Sequence, residues 1–111
     1  MNPIVTRLAG TSQDAMQANI NTYGGPGIGG YDLVREPDNP HDPNAIQVAF
    51  LGTEVMGYVP ASQAAVLAPL MDQGRQFRAE FVHLNQSPAN DIVGITVRIE
   101  EQEAQIAGQA G

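Results

Sequence analysis

Cysteine, tryptophan and lysine are all absent from this chain, and its five cations are all arginine. Without cysteine there are no disulfides, no thiolate metal sites and no cysteine nucleophile. The two histidines, His41 and His83, are too few for a three-histidine zinc site within the chain. No apolar run approaches the ~20 residues that cross a bilayer. The start, Met1-Asn2-Pro3-Ile4-Val5-Thr6-Arg7, has neither the basic opening nor the long apolar stretch of a signal peptide. A soluble, cytoplasmic protein with no membrane partner is the expectation.

What is present fits one domain. The chain has 111 residues, 42% of them hydrophobic, enough for a single packed core and too few for two. Twelve acidic residues face the five arginines, for a net charge of −7. Proteins that grip long stretches of nucleic acid neutralise several phosphates with Lys and Arg. With so few cations, any nucleic-acid contact here has to be small and local, such as a strand end. Net acidity also keeps a small domain soluble.

Ile4 to Ala9 reads as a strand that Gly10 breaks. Thr11 and Asp14 form a weak capping box ahead of a short helix, Gln13 to Asn21, with Met16 and Ile20 on one face. The stretch Tyr23 to Gly30 is loop by composition, and a strand follows at Tyr31 to Glu36. Pro37, Pro40 and Pro43, interleaved with Asp38, Asn39, Asp42 and Asn44, make a stiff turn-rich loop. Ala45 to Leu51 and Glu54 to Val59 read as a hairpin. A helix begins near Ser62 and ends at a glycine cap, Gly74, with Pro69 kinking or splitting it. Gln76 to Leu84 and Asp91 to Glu100 form a second hairpin, its turn at Gln86 to Asn90. In the last strand Val93, Ile95, Val97 and Ile99 alternate with Gly94, Thr96 and Arg98, the period of a half-buried strand. Residues 1–100 are expected to form the domain and 101–111 a frayed tail. The order strand, helix, three strands, helix, two strands predicts a mainly β fold: a small antiparallel barrel with two short helices plugging or flanking it.

Several motifs dissolve on inspection. Gly25-Pro26-Gly27-Ile28-Gly29-Gly30 resembles a dinucleotide fingerprint, but that chemistry needs a strand before and a helix after, and the order here is inverted. Asp38 to Asn44 is rich in oxygen ligands, yet Pro40, Pro43 and Ala49 fall where a calcium loop requires oxygen, glycine and glutamate. Ser12, Ser62 and Ser87 lack a nucleophile-elbow context, and no pair of carboxylates is marked for acid–base work. His83 reads as a surface or edge residue. No cofactor, metal or free-standing enzymatic activity is expected.

One long ordered pattern remains. The segment Leu33-Val34-Arg35-Glu36-Pro37-Asp38-Asn39-Pro40-His41-Asp42-Pro43-Asn44-Ala45-Ile46-Gln47-Val48, continued by Gly57-Tyr58-Val59-Pro60, the Ala64 to Leu70 helix and Asp72-Gln73-Gly74, resembles the HIRAN domain family. The likeness starts at Val5 to Gly10 and covers the chain to about Leu84. It implies a modified OB-like antiparallel barrel that captures the 3′ end of single-stranded DNA, in a DNA-repair or replication-fork setting beside a partner helicase or nuclease. By that resemblance Asp42 accepts a hydrogen bond from the 3′-hydroxyl, Asn39 orients the end, and His41 stands where a tyrosine stacks. An anionic carboxylate accepts strongly from a hydroxyl and repels the phosphate of a continuous strand. Ser12 and Gln13 fall just past the glycine, where DNA-binding members carry an arginine and aromatics. Arg35, with Arg7 and Arg75, is a candidate to flank the pocket. The expected nucleic-acid set is therefore Ser12, Gln13, Arg35, Asn39, His41 and Asp42. The alternative is a protein-interaction or scaffolding domain that keeps the fold without the DNA site.

Overall fold

The computed structural model describes residues 1–102, and of Asn90 only the backbone. Six strands and two helices follow one another as β1 (Ile4–Arg7), α1 (Asp14–Tyr23), β2 (Tyr31–Arg35), β3 (Ile46–Phe50), β4 (Glu54–Tyr58), α2 (Ala61–Asp72), β5 (Gln76–Ser87) and β6 (Asn90–Gln102). The expected order of elements holds. All strand pairs are antiparallel, in the order β1-β6-β5-β2-β3-β4.

The alternation in β6 sets the register. Ile95, Val97 and Ile99 are buried and Arg98 is exposed, because successive side chains take opposite faces of a strand. The same core takes Tyr31 from β2, Ile46 and Val48 from β3, Met56 from β4, Leu67 from α2 and Ile20 from α1. Tyr31 is wholly buried, and its hydroxyl donates to the Tyr23 carbonyl at 2.7 Å, which satisfies its one polar group. Burial pushes the Tyr31 phenol up from its ordinary value.

The sheet curls until its two edges meet at one point. Beyond β1, Ala9 and Tyr58 exchange a pair of backbone hydrogen bonds, Ala9 N–H to Tyr58 O at 2.8 Å and Tyr58 N–H to Ala9 O at 2.9 Å. Gly57 permits this crossing: a β-carbon there would lie 2.9 Å from the Ala9 oxygen and 2.9 Å from the Thr11 methyl. The remaining gap is covered by α1, whose side-chain amides stand in for a missing strand. Gln17 donates to the Val93 carbonyl at 2.8 Å and accepts from the Val93 N–H at 2.9 Å, while Asn19 donates to the Val55 carbonyl at 2.8 Å. Pairing an open edge in this way removes a template for aggregation.

Three local expectations are corrected. The Thr11–Asp14 capping box does not form: Gln13 is the N-cap, without a side-chain cap, and Thr11 is drawn inside against Gly57. Of the two outcomes expected at Pro69, the split is excluded, since α2 is one continuous helix through it. The β5–β6 turn is only Pro88 and Ala89, since the strands run on to Ser87 and from Asn90. The glycine cap of α2 is as expected, with Gly74 at φ +96°, its N–H on Met71 O at 2.9 Å and the Arg75 N–H on Leu70 O at 3.1 Å. Of the expected tail, residues 101 and 102 belong to β6, and residues 103–111 lie outside the described residues.

Candidate functional site

The connection from β2 to β3 builds one wall of the site. Its ends are tied by the Glu36 N–H on Ala45 O at 2.9 Å and the Ala45 N–H on Asp42 O at 3.1 Å. Pro37, Pro40 and Pro43 have no N–H and fix their own φ angles. Most of the other backbone donors find acceptors within the loop. The Asn39 carboxamide oxygen accepts from His41 N–H at 2.8 Å and Asp42 N–H at 3.1 Å. One Asp42 carboxylate oxygen, Oδ1, accepts from Asn44 N–H at 2.8 Å. The loop is shaped before any ligand arrives, which lowers the entropic cost of binding.

Behind the loop, Glu36 joins it to the barrel. Its carboxylate accepts from Asn39 Nδ2 and Gln47 Nε2, and from the Tyr58 hydroxyl at 3.2 Å. Tyr58 belongs to β4, so this one side chain links the loop to the strand that faces it. Asn39 is thereby almost fully committed. Both lone pairs of its oxygen and one of its amide hydrogens are used, leaving a single donor for a ligand.

Between the walls runs a groove of about 350 Å³. Asn39, His41 and Asp42 form one side, with Ala45 beside them; Ala9, Gly10 and Gln13 come from the β1 exit and the residues just before α1, Tyr58 from the end of β4 and Val59 just after it, and Ala61 from the start of α2. The volume falls at the small end of ligand sites, which suits one mononucleotide-sized group rather than a duplex. Asp42 is half-buried, and among the described residues its Oδ2 has no protein partner and its carboxylate no ion-pair partner. Arg35 feels the charge of Asp42 without pairing with it. The exposed imidazole of His41 has no hydrogen-bond partner among the described residues and is free to stack.

The sequence-derived set is thus only partly assembled. Asn39, His41, Asp42 and Gln13 meet in the groove, whereas Ser12 is exposed and outside its lining. Arg35 is also outside it. Its guanidinium makes a fork to Asp72, at 3.0 and 3.2 Å, and donates to Ala45 O at 3.0 Å. That hydrogen-bonded pairing raises the guanidinium value and holds the Asp72 carboxyl below its usual range. Among the described residues no arginine lines the groove, and Asp42 carries the one formal charge there. Tyr58 is the residue that sequence reasoning passed over. Its ring supplies an aromatic wall near Gly10, where the segment after β1 offers none. The Gly57-Tyr58-Val59-Pro60 run held the signal, but nothing in it says that Tyr58 faces a loop far away in sequence. Among the described residues no group of His, Asp or Glu could hold a metal ion, and no helix is long and apolar enough to cross a membrane.

A curled six-stranded sheet with a small groove beside a prebuilt polar loop defines an OB-like binding barrel. More particularly, the chain belongs to the HIRAN domain family, whose model matches residues 6–102. The HIRAN domain is a DNA-binding module. Two solved structures share the fold. The HIRAN domain of human HLTF superposes with a TM-score of 0.58 at 21% identity, over 90% of this chain and 74% of that one. A protein from Lactobacillus plantarum superposes with a TM-score of 0.60 at 26% identity, over 89% of this chain and 99% of that one. A Fanconi-associated nuclease 1 homolog from Oryza sativa subsp. japonica is 48% identical over 44 residues, which is 37% of this chain and 5% of that protein. The chain therefore spans a small fraction of that relative's length.

Proposed function

We propose that the groove receives the 3′ end of a single DNA strand, as a non-catalytic recognition module in a DNA-repair or replication-fork setting. The observation that carries this reading is the Asp42 carboxylate. It is fixed through one oxygen and, among the described residues, keeps the other unpartnered and has no cation beside it in the groove. A hydroxyl can donate to that oxygen with charge assistance. A phosphate in the same place would meet a bare negative charge. His41 and Tyr58 offer rings for the terminal base, in a mode that tolerates any sequence. Asn39 acts chiefly by holding the loop, and Gln13 reaches the opposite rim. The short stretch shared with a nuclease homolog supports a partner nuclease or helicase that supplies the chemistry.

The test is the affinity of short oligonucleotides that differ only in a free or a phosphorylated 3′ end. The free hydroxyl should bind more tightly, and Asp42→Ala should erase the preference. Equal affinity for both ends in the native protein would sink the role of Asp42.

A second reading is a protein-interaction domain of the same fold that does not bind DNA. It is favoured by the absence of arginine from the groove and by the net charge of −7. A partner recovered after nuclease treatment, together with undetectable oligonucleotide binding, would establish it in place of the first.

A further inference from the structure

The arginines missing from the groove are gathered elsewhere. Arg35, Arg75 and Arg78, three of the five in the chain, line a separate pocket of about 320 Å³ beside Leu33, Met71 and Phe77. Tertiary structure alone brings them together. Arg35 ends β2, Arg75 follows the glycine that caps α2, and Arg78 lies on β5 opposite Asp32 of β2.

Each guanidinium already meets a carboxylate: Arg35 meets Asp72, Arg75 meets Glu101 through Nε and Nη2, and Arg78 meets Asp32 at 3.0 Å. Arg78 and Asp32 are both exposed, and Arg75 is exposed while its partner Glu101 is partly so; solvent-facing ion pairs contribute little to stability and exchange readily. Arg75 keeps Nη1, and Arg78 keeps Nε, without a protein acceptor among the described residues. A phosphodiester presents two oxygens to a planar guanidinium in the same fork as a carboxylate, so it can add to or replace these partners.

Pocket and groove share a boundary. The Arg35 side chain lines the pocket, and its Nη1 donates to the carbonyl of Ala45, a groove residue, at 3.0 Å. Helix α2 runs between them, with Ala61 at the groove and Met71 at the pocket. At 1.5 Å per residue these positions are about 15 Å apart along the helix axis. A stacked strand advances about 3.4 Å per nucleotide, so its backbone covers that distance in roughly four or five nucleotides.

We propose that the arginine pocket is a phosphate subsite for the strand whose hydroxyl end lies in the groove. It takes an internal phosphodiester a few nucleotides from that end. The assignment of the strand rests on the end-binding reading; the preference of the pocket for a phosphate does not.

The experiment uses the full chain and oligothymidylates of two to ten nucleotides with free 3′ ends, titrated at several salt concentrations. Affinity should step up about tenfold once the strand is long enough to reach the pocket, roughly five nucleotides. In an Arg75→Met/Arg78→Met double variant the step should vanish and the salt slope should fall by about 0.7, the contribution of one phosphate contact on a single strand. Arg98→Met removes one positive charge outside the pocket and should leave the step in place. If the double methionine variant does not fold, Arg75→Lys/Arg78→Lys carries the test: it should keep most of the salt slope and lose much of the step. A step that persists without the two guanidinium groups, or a native protein that prefers hydroxyl ends with no step, would overturn the subsite and leave the groove reading intact. A step that depends on Arg75 and Arg78 without any end preference would uphold the pocket as a phosphate site and remove the groove reading. No binding at any length would overturn both.

Discussion

The groove and the arginine pocket lie toward opposite ends of α2, and they differ in charge and in stiffness. Among the described residues the groove holds one carboxylate and no arginine, while the pocket gathers three arginines, each paired with a carboxylate. The groove loop is braced by prolines and by its own hydrogen bonds, whereas the pocket is built from long side chains that reach across three elements. The contrast matches the chemistry of a strand end. A hydroxyl is recognised by a fixed acceptor, and a phosphate by mobile forks that close around it. An unpaired carboxylate at one end of α2 and exchangeable guanidinium forks at the other give a bound strand a direction without a large positive field, which a chain of net charge −7 does not have.

The strongest way to break the comparison is to open the groove and leave the pocket alone. Gly57→Val places methyl groups where even a β-carbon would lie 2.9 Å from the Ala9 oxygen. Overpacking of this kind costs about 1–3 kcal/mol, measurable by urea unfolding, and it should remove end discrimination along with the groove. Unchanged stability would mean that the β1–β4 crossing is looser than described. Next in size is Glu36→Gln, which leaves one side-chain acceptor where Asn39, Gln47 and Tyr58 now share two. About 1.5 kcal/mol of stability should go with the lost charge-assisted bond. Discrimination between ends should weaken as well, because both walls are loosened.

Asp42→Asn sharpens the contrast further, because the amide oxygen can still accept from Asn44 N–H while the charge is gone. The preference for a hydroxyl over a phosphate should shrink by about 1 kcal/mol, roughly fivefold, the difference between a charge-assisted and a neutral hydrogen bond. A full preference in Asp42→Asn would show that loop shape, and not charge, selects the end.

The smallest effect belongs to the pocket. Arg35 holds the Asp72 carboxyl, and Arg75 the Glu101 carboxyl, below the usual carboxylate range. A carboxyl depressed by folding contributes stability above its unfolded value of about 3.9–4.3, and that contribution is lost as pH falls through the lower folded value. Arg75→Met should therefore lower Tm slightly at neutral pH and converge with the native protein well below about pH 4, so that the acid side of its Tm–pH profile is flatter. Equal acid sensitivity in the two proteins would remove the Arg75–Glu101 pair from the account.

Features written in neighbouring residues were legible from the sequence. The β6 alternation, the Gly74 cap and the loop from Pro37 to Asn44 each draw their signal from a short run; the cap and loop have the expected form, and in β6 the apolar face is buried as expected while Gly94 and Thr96 of the other face are covered too. Thr11 misled because its surroundings are remote. The pull of Gly57 and β4 outweighs a weak capping preference. Tyr58 was missed, and Arg35 carried into the groove, for the same reason: the partners that place them, Glu36 and Asp72, lie 22 and 37 residues away.

By itself the sequence determined which segments become strands and helices, and that one proline-rich loop holds a carboxylate beside an asparagine. Those outcomes follow from local sterics, side-chain periodicity and backbone donors satisfied nearby. Only the tertiary structure decided what faces that loop and which arginines meet across β2, α2 and β5. Such juxtapositions depend on how a curled sheet closes, and no short stretch of chain encodes that closure.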